Sequence, residues 1–366
     1  MKHTVTVVER GVVADTTENI FGYSAWPSVE RGADGALLAV YSGNRLGHIC
    51  PFGKVLLRRS LDEGRTWSAP TVVFDTPLDD RDAGCLHLGG GRLLATSFNN
   101  TRSMQRDWAR APWMRDSDAV RRMIEAYCEL VTDEQERGYF GSLAALSEDN
   151  GQSWSAPFHV PVSAPHGAAL CPDGTVLYAG TAAPDLAAVP GFPIRVYNSA
   201  DGGRSFSHLA DVPVCPAYPD AGHYEPHLLA LPDGRLVLTI RHDGEGLFTV
   251  SACVSDDGGA TWTVPQPTGA RGAPPHLLLH SSGTLLCAYG RRTAPFGVEV
   301  MFSDDRGERW GDFRTLWDGG VDSDLGYPCS VELPGGDVFT LYYAKPAPGS
   351  RCAILYTRWR LEEARE

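Results

Sequence analysis

An octapeptide recurs five times along the chain, and that recurrence limits the fold more than any other feature. Ser60–Trp67 reads SLDEGRTW, Ser147–Trp154 SEDNGQSW, Ser199–Phe206 SADGGRSF, Ser255–Trp262 SDDGGATW and Ser303–Trp310 SDDRGERW. The shared pattern is Ser-x-Asp-x-Gly-x-Ser/Thr-aromatic, and only Arg309 departs from it. Self-similarity at such intervals is the signature of a repeat architecture. Each copy reads as a hairpin turn. The aspartate carboxylate can accept hydrogen bonds from turn N–H groups, and the glycine supplies a backbone angle that other residues avoid. The closing aromatic is expected to pack between neighbouring repeats.

A second repeat interleaves with the first. Asp34-Gly35, Gly90-Gly91, Asp173-Gly174, Asp233-Gly234, Ser282-Gly283 and Gly335-Gly336 each precede an apolar strand, a strong hairpin signal. The second glycines of these pairs lie 56, 83, 60, 49 and 53 residues apart. Six hairpins and five octapeptides predict an all-β, six-bladed β-propeller of four-stranded antiparallel blades, one domain over residues 1–366. Thr4–Val8 alternates like a strand and is expected to close the ring as the outer strand of the last blade, beside Cys352–Trp359. The long interval of 83 residues holds an insertion in blade 2, Thr101–Gly138. Val120, Met123, Ile124, Tyr127 and Leu130 share a helical face there, with Ser117 or Asp118 as N-cap. The insertion is either a lid over a pocket or a surface decoration or oligomer contact.

The formal net charge of −13 argues against a nucleic-acid partner. A local arginine cluster can still attract an anionic ligand. No apolar run is long enough to span a membrane, and Met1–Val5 opens no signal peptide, so a cytoplasmic location is expected. Nine scattered cysteines without ligand spacing read as reduced thiols. Nothing calls for a metal or another cofactor, and the oligomeric state is not indicated.

The octapeptide resembles the Asp box of sialidases and related β-propellers. In those families the box lies on the outer rim, so the resemblance implies a structural role for its aspartates. The hairpin phase then shows where chemistry should sit, because the innermost strands converge on a central channel. Those strands open with Ala25–Ser28, Arg81–Gly84, Ala164–Gly167, His223–His227, Ala273–His276 and Leu325–Pro328. Polar, titratable residues recur at this one phase, and a purely structural ring would not need them.

Three segments resemble sialidases more closely. Tyr224–Arg241 is similar to the segment with a catalytic glutamate and, one strand later, an arginine for the substrate carboxylate, which implies Glu225 and Arg241. Gly326–Gly336 resembles the segment with the nucleophilic tyrosine, which implies Tyr327. Tyr289–Arg292 resembles the site of another carboxylate-binding arginine, implying Arg291 or Arg292. A neutral tyrosine suits a sugar whose anomeric carbon bears a carboxylate, because it avoids charge repulsion. Arginines hold such a carboxylate by bidentate bonds.

Two departures stand out. Where sialidases open the first blade with Arg-Ile-Pro, this chain has Ala25-Trp26-Pro27. The following stretch, Ser42–Gly53, has no aspartate to serve as acid/base, but offers Arg45 as an anion-binding arginine and His48 as acid/base. Asp82 is the other candidate acid. Trp26, His166, His227 and His276 complete the candidate substrate contacts. The resulting expectation is an exo-acting glycoside hydrolase cleaving a terminal acidic sugar. Open alternatives are a polysaccharide lyase using a histidine or tyrosine on a uronate, an exo-arabinanase-like hydrolase, and a non-catalytic glycan-binding propeller.

Overall fold

The computed structural model of the protein describes residues 3–111, 117–182 and 194–363. Within them the chain forms six four-stranded antiparallel sheets arranged in sequence as blades. Blades 1 to 5 are each built from four consecutive strands. In blade 6 the strands Gly326–Glu332, Asp337–Ala344 and Ala353–Glu363 are completed by the N-terminal strand His3–Ala14. Val5 lies opposite Leu361 and Val12 opposite Leu355 in that last pairing. The expected closure of the ring by the N-terminal strand is therefore present.

Packing follows from strand alternation with both faces covered. In blade 1, Leu37, Ala39 and Tyr41 pack into a cluster shared with blade 6. The intervening residues Leu38 and Val40 pack into a cluster shared with blade 2. Six such clusters, one between each pair of neighbouring blades, make up most of the buried apolar interior. This explains why the strands after the glycine turns are continuous apolar runs.

The boxes repeat one bonding pattern. Asp257 accepts from the Thr261 N–H at 2.9 Å and from the Thr261 hydroxyl at 2.6 Å, and the Ser255 hydroxyl donates to it at 2.8 Å. The Trp262 indole N–H donates to the Gly259 carbonyl at 3.0 Å. Gly259 has φ +92, which only glycine adopts freely. Arg309, the one departure, reaches back to Asp305 with its Nε at 2.7 Å and so replaces the missing hydroxyl. Trp67 lies against Phe339 of blade 6, 6.2 Å between ring centres. Boxes and glycine turns share one face: Asn150 of the second box accepts from Ala33 N–H and donates its own N–H to Gly91 O. The innermost strands therefore open on the opposite face.

The insertion leaves blade 2 on that opposite face. It contains α1 (Arg102–Ala109), α2 (Asp118–Leu130) and α3 (Asp133–Tyr139), while residues 112–116 lie outside the described residues. Ser117 caps α2 as expected, its side chain accepting from Val120 N–H. The packed face matches the expected one at Val120, Ile124 and Tyr127 but not at Met123 and Leu130. Ile124 and Cys128 are buried against Ala109, whereas Met123 and Leu130 are 37% and 76% exposed. Along that stripe α2 packs on α1 through an i, i+4 pair, and Tyr127 carries the helix onto Phe52 of blade 1, 4.6 Å between ring centres. No helix among the described residues is long and apolar enough to cross a membrane.

Candidate active site

Four innermost strands carry the same backbone device. Trp26, Asp82, Glu225 and Tyr327 all have positive φ, between +49 and +51. Each sits at a register shift against the next strand: Ala25/Ser28, Arg81/Gly84, Tyr224/His227 and Gly326/Cys329. A bulge with a left-handed residue re-aims one side chain, here at the start of the channel. For a non-glycine residue it costs on the order of 1–3 kcal/mol. Four equal distortions at one phase, in blades 1, 2, 4 and 6, mark a preorganised cluster.

The centre of that cluster is a tyrosine–glutamate pair. Tyr327 donates its hydroxyl to Glu225 Oε1 at 2.6 Å. Arg241 Nη1 donates to Glu225 Oε2 at 2.5 Å and lies 3.4 Å from the Tyr327 oxygen. Arg241 Nη2 donates to Asp243 at 2.8 Å, while its Nε is buried without a partner among the described residues. Burial, followed by the Glu225 and Asp82 charges, pushes the Tyr327 phenol well above its ordinary pKa, against the pull of Arg241 and Arg292. Tyr327 is thus a neutral phenol at rest, hydrogen-bonded to Glu225.

Of the two candidate arginines at the end of the second strand of blade 5, the structure brings Arg292 to the pair. Its guanidinium lies 5.5 Å from the Tyr327 ring centre, donates to Leu325 O at 3.0 Å and to the Tyr343 hydroxyl at 3.3 Å. Arg291 is instead held by Glu299 and the Pro295 carbonyl. Asp82 is 5% exposed and has no hydrogen-bond partner among the described residues. Desolvation first, then the Glu225 charge, raise its pKa to about 7, while Arg81, Arg241 and Arg45 pull it down.

Trp26 occupies the expected blade 1 position and is fully buried beneath its neighbours. Its ring meets Tyr327 at 6.4 Å, Tyr343 at 6.1 Å and His48 at 5.1 Å. Arg45 lies over the same ring at 4.7 Å, but it is 0% exposed. Its donors are taken by Asp79 at 2.6 Å, the Ser42 hydroxyl at 2.9 Å and the carbonyls of Gly47, His48 and Asp80. Arg45 thus braces the loop instead of facing the channel. The arginine at hand is Arg81, which sequence reasoning passed over in favour of its neighbour Asp82. It stacks on Trp26 at 4.2 Å and is tied to the same Asp79 at 3.4 Å. Gln105 of α1 donates to Asp79 at 3.0 Å, so the insertion is rooted beside the site.

His166, His227 and His276 form a separate buried layer one step down the channel. His227 stacks on His276 at 4.2 Å, with His166 edge-on at 5.7 and 5.0 Å. His227 Nδ1 accepts from Leu277 N–H, and His276 Nδ1 accepts from Ser330 N–H, each bond reaching to the next blade. Burial holds all three rings below the ordinary imidazole range. They pin blades together beneath the site. No group of three or more His, Cys, Asp or Glu among the described residues is arranged to hold a metal ion.

A family model described as the BNR repeat-like domain matches residues 127–340, more than half of the chain. No curated protein matches. Among solved structures, the chain is similar to a protein of unknown function from Dyadobacter fermentans, at 21% identity and a TM-score of 0.76, over 98% of this chain and 99% of that one. It is also similar to a Hadza microbial sialidase, at 16% identity and a TM-score of 0.65, over 97% of this chain and 68% of that one. The intramolecular trans-sialidase from Ruminococcus gnavus matches at 13% identity and a TM-score of 0.65, over 97% and 98% of the two chains. At these identities the likeness is one of fold.

Proposed function

Because the chain belongs to the BNR repeat-like family, and because a buried tyrosine–glutamate pair lies among arginines at its channel mouth, we propose that it is an exo-acting glycoside hydrolase of sialidase type for a terminal sugar bearing an anionic group. The observation that carries this reading is the 2.6 Å bond from the Tyr327 hydroxyl to Glu225. Glu225 takes the phenolic proton as the Tyr327 oxygen attacks the anomeric carbon. A neutral nucleophile meets no repulsion from a substrate anion beside that carbon. Arg241 and Arg292, with Arg81 from blade 2, supply the positive charge for that anion. Asp82, with its pKa raised to about 7, holds a proton near neutrality and can pass it to the departing oxygen.

The test is a substrate screen with two separable readouts. Aryl sialosides should release their phenol, and Tyr327→Phe should abolish that release while keeping the folded spectrum. Turnover of aryl arabinosides instead would move the reading to a neutral sugar. A uronate polymer giving the absorbance of a 4,5-unsaturated product would overturn the hydrolase in favour of a lyase.

A further inference from the structure

His48 packs against Trp26, whose ring also meets Tyr327, and is bonded on one side only. Its Nδ1 is 2.9 Å from the Tyr23 oxygen and 3.2 Å from Asp324 Oδ1. Tyr23 spends its single hydrogen on the same Asp324 oxygen, at 2.9 Å. Neither neighbour therefore has a proton left to give Nδ1, and Nδ1 must carry the hydrogen itself. The neutral ring then has its lone pair on Nε2. That atom has no hydrogen-bond partner among the described residues, and 34% of the side chain is open. The ring stands edge-on to Trp26, at 86° and 5.1 Å, so the indole and Asp324 fix its direction.

We propose that His48 is a general base of this site, oriented by Asp324 and Tyr23 and presenting the Nε2 lone pair to a molecule bound at its open edge. Charged and titratable groups around it are consistent with that state. Asp324 also receives the Tyr343 hydroxyl at 3.3 Å and has Lys345 at 4.0 Å. Burial works against the Asp324 carboxylate, yet the bond from His48, the Lys345 charge and the Tyr23 hydroxyl hold it below the ordinary range. Burial lowers the His48 pKa, partly offset by Asp324 and reinforced by Arg81 and Arg292, so the ring is neutral near neutrality. Cys352 also lies 3.4 Å from Asp324, with its thiol pushed far up by burial and so uncharged.

The role deepens the glycosidase reading and rests on it for the identity of the step. In the second half-reaction, a water loses a proton to Nε2 while its oxygen bonds to the anomeric carbon. The bond from that carbon to the Tyr327 oxygen breaks, and the phenolate recovers its proton from Glu225. The imidazolium then releases its proton to solvent. Asp82 and His48 thus divide proton delivery and proton removal between a group that is protonated near neutrality and one that is not.

Two measurements decide the matter. In protein labelled at the imidazole nitrogens, the His48 signal, assigned by its loss in His48→Gln, should show an unprotonated Nε2 near neutral pH. Asp324→Asn should remove that preference. A protonated Nε2 in the wild-type protein would overturn the assignment. On an aryl sialoside, His48→Gln should lower kcat about 100-fold with KM little changed. Azide, a nucleophile that needs no base, should restore turnover as the glycosyl azide, which a merely structural role would not allow. Wild-type kcat in His48→Gln, or loss without azide rescue, would overturn the role. If the wild-type protein turns over no aryl glycoside, the hydrolytic step falls with the glycosidase reading. The nitrogen spectrum still reports separately whether His48 is an oriented base.

Discussion

At one end of the propeller, Asp62, Asp149, Asp201 and Asp257 each accept a backbone N–H four residues on and the hydroxyl of that same residue. At the other end, Trp26, Asp82, Glu225 and Tyr327 share a backbone angle and a bulge, yet no two have the same side chain. The first end repeats chemistry along with geometry. The second repeats geometry alone. Repetition of both is what a closed ring needs for mechanical uniformity, since every blade must meet its neighbour alike. Constant geometry with changing side chains is what the proposed reaction needs, since nucleophile, base and acid must arrive at one point in different hands.

The sharpest way to break this comparison is at the tyrosine–glutamate pair. Tyr327→Phe and Glu225→Gln should each lower kcat by about 1,000-fold or more, and the double variant should lose little beyond either single one, because the two act as a unit. Additive losses in steady-state kinetics would mean that the 2.6 Å bond between them is not the functional contact. Trp262→Ala should do the reverse. The indole is 8% exposed and packs into the cluster between blades 3 and 4. Its removal should cost about 3–5 kcal/mol in denaturant unfolding. Activity per folded molecule should stay unchanged.

Asp82 shows what the second end gives up for its chemistry. Its folded pKa, about 7, lies above the value of about 4 of an unfolded aspartate. Between those values the folded state binds the extra proton, so this group's contribution to stability falls as pH rises from about 4 to about 7 and is flat beyond. Asp82→Asn keeps the shape and tolerates the left-handed backbone, but never has to bury a charge. It should match the wild-type stability near the bottom of that window and exceed it above the top by on the order of 2–4 kcal/mol. Glycoside turnover should be lost. Equal stabilities at both ends of the window would show that the carboxyl is not desolvated. The box aspartates slope the other way: Asp62 and Asp257 are held down to about 2 by their turn bonds, so their contribution fades only as pH drops from about 4 toward that value.

How far the sequence could be read follows the same division. The architecture was legible because it is local and repeated: the octapeptides and glycine turns gave the blade count, and alternation in Thr4–Val8 gave the closing strand. Glu225, Arg241 and Tyr327 were legible from their common phase and from their resemblance to sialidase segments. Arg45 and Arg81 could not be ranked that way, because both depend on Asp79, a residue that brings loop, strand and insertion together only in three dimensions. His166, His227 and His276 carried the right residue type two positions beyond the bulge phase, and that small offset puts them in a layer of their own, with His227 and His276 bonded to backbone N–H groups of the next blade, instead of in the cluster around Tyr327. Asp324 had no sequence signal at all. It lies in a loop of short polar residues, and its meaning comes from Tyr23 and His48 of blade 1.

The smallest expected effect tests how tolerant the repeated end is. Arg309 is 89% exposed and replaces the usual hydroxyl with a 2.7 Å ion pair to Asp305. Arg309→Thr exchanges that pair for the hydroxyl bond seen in the other boxes. An exposed ion pair contributes little, since solvent screens it and ordering a long side chain opposes it. The unfolding midpoint and the turnover should both stay where they are. The analogous conservative change at the other end, Arg292→Lys, removes the planar donor that reaches both the Leu325 carbonyl and the Tyr343 hydroxyl. It should raise KM at least several-fold, because a lysine cannot present two parallel donors to an anion. If both exchanges prove equally silent, the two ends of the ring do not differ in the way their geometry implies.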